Sequence, residues 1–380
     1  MEVGMVAASE HSTHGFCAAG LVYALALQLG VNRKELLWFS ILGLTDQYVY
    51  QRIGGARYRG DFRFFAEKVR NFESSSSANS SAGVDEFNSH NISISPQEYV
   101  FMLYRHWNLY DSMYHTRSIA VKLGVWGHQG KKNLEQWLAR MGLPLEECKQ
   151  KFVAMKKVFK DRLPKQLEEY SPEFGVTDLY VESFVKRPSF DKELSAFDVV
   201  YGASALLDST RQHHAHGTES EMDVDSDEDF LKANFWNAYR SLSHNNNILE
   251  EGIDEAIDLQ CAIVRQTTSL IQRKDILPMG KYRVAFIKDS PDLKYFTHPL
   301  SLSKLAHFLV DTLIDMARRP SNRCKPLIVI SMPSGDQCLV VGVEGQHSGS
   351  SSVPKYVHLP LRIPRMPRWT GHHFSSVSLP

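Results

Sequence analysis

Asp46 is the first residue of this chain to invite a chemical reading. It stands with Thr45 and Gln47 near the end of Glu35 to Arg52, ELLWFSILGLTDQYVYQR, a run otherwise dominated by Leu36, Leu37, Trp38, Phe39, Ile41, Leu42, Leu44 and Val49. Polar groups among so many apolar neighbours cost free energy unless they are hydrogen-bonded. Asp46 is therefore either a working carboxylate or, as the simpler expectation, bonded with Gln47 to nearby backbone. A second candidate is the His213–His214–Ala215–His216 run, which could hold a metal transiently, followed by ESEMDVDSDED. Nothing near it in sequence gives a fixed ligand geometry, and the acidic run reads as a solvated loop in which Ser226 would suit an acid-directed kinase. His14, His106, His115 and His128 read as polar or core-edge side chains.

Other chemistries leave no trace. GxxxxGK[ST] is missing, and Gly127, Gly130 and Lys131 have the wrong spacing for a phosphate-cradling loop. GxGxxG, HExxH and GxSxG are also missing. No carboxylate cluster on an ordered element has a histidine close in sequence, as a two-metal phosphoesterase requires. The five cysteines, Cys17, Cys148, Cys261, Cys324 and Cys338, form no CxxC pair, which points to a reducing compartment. Lys+Arg and Asp+Glu both number 43 in 380 residues, so any nucleic-acid surface must be local rather than global. No apolar run reaches membrane-spanning length, and no signal peptide is evident, so an intracellular protein without membrane contact is expected. No cofactor, metal or catalytic residue is expected, which favours binding over catalysis.

The elements that must position these residues follow from periodicity. Phe16 to Leu29 reads as a buried helix ended by Gly30, and Asn32 as the cap of the next, all-round apolar helix, which should be buried on every side. Phe62, Phe65 and Val69 give a shorter amphipathic helix, and Ser74 to Ser95 a flexible loop. From Pro96 the pattern predicts a helix carrying Tyr99, Leu103, Trp107 and Tyr110 on one face, with Met102 and His106 beside it. A second helix spans Lys131 to Met141. A third opens at Pro144, with Phe152, Met155, Phe159 and Leu163 inside, Lys149, Lys151, Lys156, Lys157, Lys160 and Arg162 outside, and a kink or restart at Pro164. A lysine-rich face is usually solvated surface, and its functional alternative is a phosphate backbone or an acidic partner. Asp178 to Lys186 predicts a strand, Leu194 to Leu207 a helix, and Leu249 to Ile276 a long amphipathic helix. Strands at Tyr282 to Lys288 and around Tyr295 and Phe296, a helix at Leu302 to Arg318, and strands at Pro326 to Met332 and Gln337 to Val343 complete an α/β unit. Beyond Gly345 the chain, with PLRIPRMPRWTGHH, reads as unstructured.

Several segments in order, LLWFSILGLTDQYV, YRHWNLYDSMYHT, LEQWLARMGLPLEECKQKFVAM, FDVVYGASALLDS and RPSNRCKPLIVI, resemble the cell division control protein 45 family, a eukaryotic relative of RecJ and DHH phosphoesterases. The resemblance spans roughly residues 12 to 343. It implies a mixed, helix-rich α/β fold: residues 1–72 as the C-terminal helices of a DHH-like domain, a loop at 73–95, a helical inter-domain module at 96–174, and a partial DHHA1-like α/β domain at 175–344 with a disordered acidic loop at 212–229. Residues 345–380 would be a tail outside the family. Against family members the chain looks shortened at both ends, so the helices from Phe16 to Arg52 are expected to expose apolar surface and lower solubility.

The function so implied is that of a non-catalytic nuclear component of the replicative helicase. It would act in replication initiation and elongation, in contact with the minichromosome maintenance ring, the GINS complex, single-stranded DNA and origin chromatin, with DNA polymerases as further partners. On that footing Tyr104, Arg105, Trp107, Lys151, Lys156 and Lys157 are candidates for partner contacts, and Arg318, Arg319, Arg323 and Lys325 for single-stranded DNA. Two alternatives stay open: a DHH-type single-strand nuclease or phosphoesterase, for which Asp46 alone could not hold two ions, and a helical adaptor unrelated to DNA.

Overall fold

A computed structural model describes residues 15–78, 92–189, 192–209, 227–242, 246–288, 290–317, 325–334, 337–344 and 356–359. The architecture is mixed and helix-rich, with one three-stranded and one five-stranded sheet among the described residues.

Helix α1 (Ala18–Gln28) is capped by the Cys17 thiol, which accepts from the Gly20 amide at 3.3 Å, and Gly30 follows its end with φ of +76°. Helix α2 (Lys34–Val49) begins one residue later than the sequence suggests. Its N-cap is Arg33, and Asn32 instead accepts the Tyr23 hydroxyl at 3.2 Å. Nor is α2 buried on every side: Leu37, Trp38, Ile41, Leu42 and Leu44 are enclosed, but Phe39 is exposed, as are Leu21, Val22, Leu25 and Leu29 on neighbouring α1. Helix α3 (Gly55–Ala78) is longer than Phe62, Phe65 and Val69 required, and extends into the serine-rich stretch expected to be loop.

The largest departure follows. Residues from Ile92 to Tyr99 form strand β1, where Pro96 had opened a helix; the register shifts between Ser95 and Glu98, and this bulge accommodates a residue with no amide to donate. The aromatic spacing from Tyr99 to Tyr110 is therefore not one helical face. It spans a turn, with Leu103 at φ +52°, and the start of α4 (Leu109–His115). Helices α5 (Arg117–Leu123) and α6 (His128–Arg140) follow, α6 being the element expected at Lys131 to Met141. The third expected helix is split into α7 (Leu145–Lys149), a 3-10 turn at Phe152–Ala154 and α8 (Lys157–Tyr170). The break occurs where Lys151 bridges Asn108 and the Phe152 amide donates to the Trp107 carbonyl at 2.9 Å. Pro164 sits inside α8 without ending it.

Strands β2 (Tyr180–Ser189) and β3 (Lys192–Ser195) complete the first, antiparallel sheet in the order β1-β2-β3. A reciprocal capping box between Ser195 and Asp198 starts α9 (Ala196–Asp208). Helix α10 (Asp227–Ser241) takes up the end of the acidic run; the HHAH segment lies outside the described residues. Helix α11 (Asn246–Gln272) is followed by the hairpin β4 (Ile276–Met279) and β5 (Tyr282–Ile287), turned by Gly280 at φ +67°. Ile276 thus starts a strand rather than ending a helix, and Tyr295 and Phe296 lie in a 3-10 turn, not a strand. Helix α12 (Pro299–Met316) crosses from β5 to its parallel neighbour β6 (Leu327–Ser334), and β7 (Gln337–Val343) pairs antiparallel to β6. Within the stretch read as unstructured, β8 (Tyr356–Leu359) pairs with β7 and closes the second sheet in the order β4-β5-β6-β7-β8.

Two apolar cores result. One joins α1–α3, Phe184 of β2, α9 and the first turns of α11, through Leu249, Ile253 and Ala256. The other joins α4–α8 and the five-stranded sheet to α12 and the rest of α11, through Leu259, Ala262, Ile263 and Leu270. Residues 175–344 contribute to both. Helices α9 and α11 cross so closely that a Cβ on Gly252 would lie 2.6 Å from the Gly202 carbonyl oxygen and 2.8 Å from Leu206 Cγ.

That crossing can be tested. Gly252→Ala gains about 1 kcal/mol of helix propensity, but overpacking costs about 1–3 kcal/mol, and a carbonyl oxygen cannot rotate aside as a side chain can. The variant should be less stable in urea unfolding, whereas Gly60→Ala, whose Cβ would meet nothing within 4 Å, should be unchanged or more stable.

Candidate functional site

A cavity of about 1010 Å³ opens where the two cores meet, lined by the end of α2, the turn after β1, and parts of α5, α9, α11 and α12. The residues that reach it come from distant parts of the chain, and their charges are already paired. Asp46 accepts from Arg52 Nη1 at 2.9 Å across the turn that ends α2. The sequence reading assigned Asp46 and Gln47 to neighbouring backbone. Asp46 takes a guanidinium instead, and the Gln47 side chain donates to the Gly15 carbonyl at 3.4 Å. Burial pushes the Asp46 carboxyl above its ordinary range, while Arg52 and Lys304 oppose the shift.

Near Asp46 the Lys304 ammonium of α12 donates to Asp208 of α9 at 2.7 Å and lies 4.8 Å from the centroid of the Tyr50 ring. Burial alone would pull the Lys304 ammonium down, but Asp208 and Tyr50 outweigh it and hold the charge on. His298 Nδ1 lies 3.5 Å from the same carboxylate, yet burial keeps its imidazole below the usual range. Arg117 of α5 donates to Asp311 of α12 at 2.6 Å and to the His307 carbonyl at 3.1 Å, so α12 is tied to α9 at one turn and to α5 at another. A further knot lies at the rim, where Arg105 binds Glu98 through both terminal nitrogens and comes within 3.8 Å of Asp198.

The chemistry open to this cleft is limited. Its lining holds the carboxylates Asp46, Glu98, Asp198, Asp208 and Asp311 against the cations Arg52, Arg117 and Lys304, and each of those cations is in an ion pair. An anionic ligand such as a phosphate backbone would have to break pairs to bind here. Among the described residues no group of three or more His, Cys, Asp or Glu side chains could hold a metal ion, and no helix is long and apolar enough to cross a membrane.

The candidates singled out from sequence are placed very differently. Tyr104 is buried, edge-on to Phe152, and Arg105 is held in its carboxylate knot with its guanidinium 4.7 Å from the Tyr104 ring centroid, so neither presents a free surface. Trp107 is half-buried and stacks on His115 at 5.0 Å. Lys151, Lys156 and Lys157 are exposed around the α7–α8 junction, with Lys156 2.7 Å from Glu147. Arg318, Arg319 and Arg323 lie outside the described residues; Lys325, just before β6, is half-buried. The cleft residues Asp208, Lys304, Arg117 and Asp311 gave no signal in sequence, because Asp208 and Lys304 are 96 positions apart and Arg117 and Asp311 are 194 apart.

The family model CDC45 matches residues 6–374, nearly the whole chain. The chain belongs to the CDC45 family. It is 37% identical over 360 residues to the cell division control protein 45 homolog of Dictyostelium discoideum, covering 88% of this chain and 54% of that one. It is 30% identical to the homolog of Schizosaccharomyces pombe over 87% of this chain and 54% of that one, and 28% identical to the human homolog over 90% and 58%. The chain thus spans little more than half the length of the curated relatives it matches. The crystal structure of CDC45 from Entamoeba histolytica has the same fold, with a TM-score of 0.64 at 22% identity, over 86% of this chain and 61% of that one. The CDC45 match continues past residue 343, where the segment-by-segment resemblance stops, and includes β8.

Two measurements probe the cleft. Lys304→Met leaves the Asp208 carboxylate buried without its cation and should cost about 3 kcal/mol, whereas Lys304→Met with Asp208→Leu should recover most of that in a double-mutant cycle. The second concerns Glu255 of α11, which accepts the Ser209 hydroxyl at 3.4 Å beside the same wall. Burial pushes its carboxyl from 4.5 up to about 7, with Ser209 opposing and Glu251 and Asp258 adding to the rise. The folded chain therefore holds a proton that the unfolded chain has released, and stability falls as pH rises from 4.5 to 7. Glu255→Gln should flatten this part of the profile, gaining on the parent between urea titrations at about pH 5 and pH 8.

Proposed function

We propose that the chain acts in DNA replication initiation and elongation as a non-catalytic component of the replicative helicase assembly. The observation that carries this reading is the family match across residues 6–374, with curated relatives all named cell division control protein 45 homologs among the three compared above. Physical features support contacts rather than chemistry as its mode of action. The cleft cations are engaged in ion pairs, while Lys151, Lys156 and Lys157 stand exposed beside exposed Val153 and Val158, a surface that offers both charge and apolar area. The partners of this reading are the minichromosome maintenance ring, the GINS complex, single-stranded DNA and origin chromatin, with DNA polymerases as further contacts. Its place is the nucleus.

Co-purification of the tagged chain with GINS and the minichromosome maintenance ring tests the assignment, and Lys151→Ala, Lys156→Ala and Lys157→Ala together should reduce recovery. An empty pull-down would favour an adaptor unrelated to DNA. For DNA, replacing Arg318, Arg319, Arg323 and Lys325 by Ala should weaken single-strand binding and lower the salt slope by up to about 3, at about 0.7 per phosphate contact. Unchanged affinity and slope would remove those four residues from the interface. Manganese-dependent cleavage of single strands, lost in Asp46→Ala, would overturn the non-catalytic reading in favour of a DHH-type nuclease.

A further inference from the structure

The cleft between the two cores carries acceptors that its own ion pairs do not use up. Its carboxylates, Asp46, Glu98, Asp198, Asp208 and Asp311, outnumber Arg52, Arg117 and Lys304, and still do when Arg105 at the rim is added. Asp46 meets Arg52, Asp208 meets Lys304 and Asp311 meets Arg117, each through Oδ2, which leaves Oδ1 of each for another donor. The side chains of Asp46 and Asp311 are 31% and 26% exposed, so a ligand in the cleft can reach them. Asp208 is only 4% exposed, and its Oδ1 is buried without a hydrogen-bond partner. His298 Nδ1 lies 3.5 Å from that carboxylate but accepts the Leu300 amide at 3.4 Å, and burial favours its neutral form, so it has no proton to give there. A buried carboxylate oxygen without a donor costs free energy that a cation recovers.

The lining also shows which cation fits. Lys304 is seated between the Asp208 carboxylate and the Tyr50 ring, so these walls already hold one alkylammonium by charge and by ring face. Tyr48, Phe197 and Tyr201 bring further rings to the same cleft. Aromatic faces beside carboxylates suit organic cations, whereas a hard metal ion needs several oxygens converging on one point. Lys304 and Asp311 are seven residues apart on α12, a rise of about 10 Å, so the acceptors left by Asp208 and Asp311 fall within the span of one short aliphatic chain. Burial, and then the Asp208 carboxylate, push the Asp46 carboxyl up against the pull of Arg52 and Lys304, and a further cation between Asp46 and Asp208 relieves that repulsion.

We propose that the cleft binds a flexible organic dication, with ammonium or guanidinium groups on an aliphatic chain, one held by Asp46 and Asp208 and another by Asp311. Such a ligand adds to the existing pairs, whereas an anion would have to break them. The rings flank the aliphatic chain and the charged ends. The assignment is independent of the replication reading, because it rests on the lining alone. Two sources share this chemistry, a free polyamine and the basic side chains of an inserted peptide.

The test is isothermal titration calorimetry of the full chain with spermidine and, separately, with a diarginine peptide blocked at both ends. At least one should bind, and the tighter of the two names the source. Propylamine, with a single charge, should bind much more weakly, and succinate not at all. Asp46→Asn with Asp311→Asn should weaken binding at least about tenfold, the scale of one charge-assisted hydrogen bond. The circular dichroism spectrum should be unchanged, because asparagine still accepts from Arg52 and Arg117. The bound dication should raise the urea midpoint of the parent and not of this variant. Should the double variant fail to fold, Asp46→Asn and Asp311→Asn are read singly, each weakening binding. Glu146→Gln with Glu168→Gln, which removes two exposed carboxylates elsewhere, should change nothing.

Binding of neither dication would overturn the proposal. So would equal binding of propylamine or succinate, binding that survives the loss of Asp46 and Asp311, or an equal loss with Glu146 and Glu168, which would mark general attraction to an acidic surface.

Discussion

The arrangement depends on the crossing of α9 and α11 at Gly202 and Gly252, where a Cβ on Gly252 would meet the Gly202 carbonyl and one on Gly202 would meet the Leu249 and Ile253 side chains. Glycine costs about 1 kcal/mol in a helix interior relative to alanine, so its presence on both sides of one crossing has a packing reason. The close approach sets how Leu249, Ile253 and Ala256 enter the core shared with α1–α3. Because α11 continues unbroken to Gln272, the same geometry fixes where Leu259, Ile263 and Leu270 meet α12 and the five-stranded sheet. One rigid helix therefore carries both cores, and the cleft between them is a consequence of where it is gripped.

Buried charges then fix what apolar contact leaves free. Apolar packing is non-directional and tolerates sliding of one helix along another. An ammonium seated between a carboxylate and a tyrosine ring does not, because moving Lys304 one turn would leave both it and Asp208 unpaired in a poorly solvated place. Arg117 and Asp311 hold the other end of α12 in the same way. The two pairs sit seven residues apart on α12, two turns of one face, and so define its rotation as well as its position.

Periodicity revealed the elements whose signal is local. Helices α1, α2, α6, α9, α11 and α12 and strands β2, β5, β6 and β7 were legible, because burial on one face writes a repeat of 3.6 or 2 into the sequence. Tyr99, Leu103, Trp107 and Tyr110 misled for a physical reason. All four are enclosed or half-enclosed, but by a strand end, a turn with a left-handed leucine, and a short helix, which mimic helical spacing without helical backbone. The split between α7 and α8 was equally invisible, since it is made by a bridge from Lys151 to Asn108, 43 positions away. The cleft itself was barely legible. Asp46 was noticed because it interrupts an apolar run, but its partner Arg52 and the pairs from α5, α9 and α12 have no spacing rule to give them away.

The partition of charge bears on how such a chain can meet a polyanion. Net charge is zero over 380 residues, so attraction to a phosphate backbone must come from local separation of charge. Inside, separation is cancelled pair by pair, and the lining keeps an excess of carboxylates. Around α10 and α11 the excess is again acidic and would repel a nucleic acid. One local cluster of cations among the described residues is the lysine-bearing junction of α7 and α8, where Lys149, Lys151 and Lys157 are exposed and Lys156 is shared with Glu147. Screening at physiological salt limits each exposed lysine to an interaction range of roughly 8 Å. A strand held at that junction alone would touch few phosphates and bind weakly, so firm retention of single-stranded DNA requires cations from elsewhere in the chain, or from a partner, to line up with it.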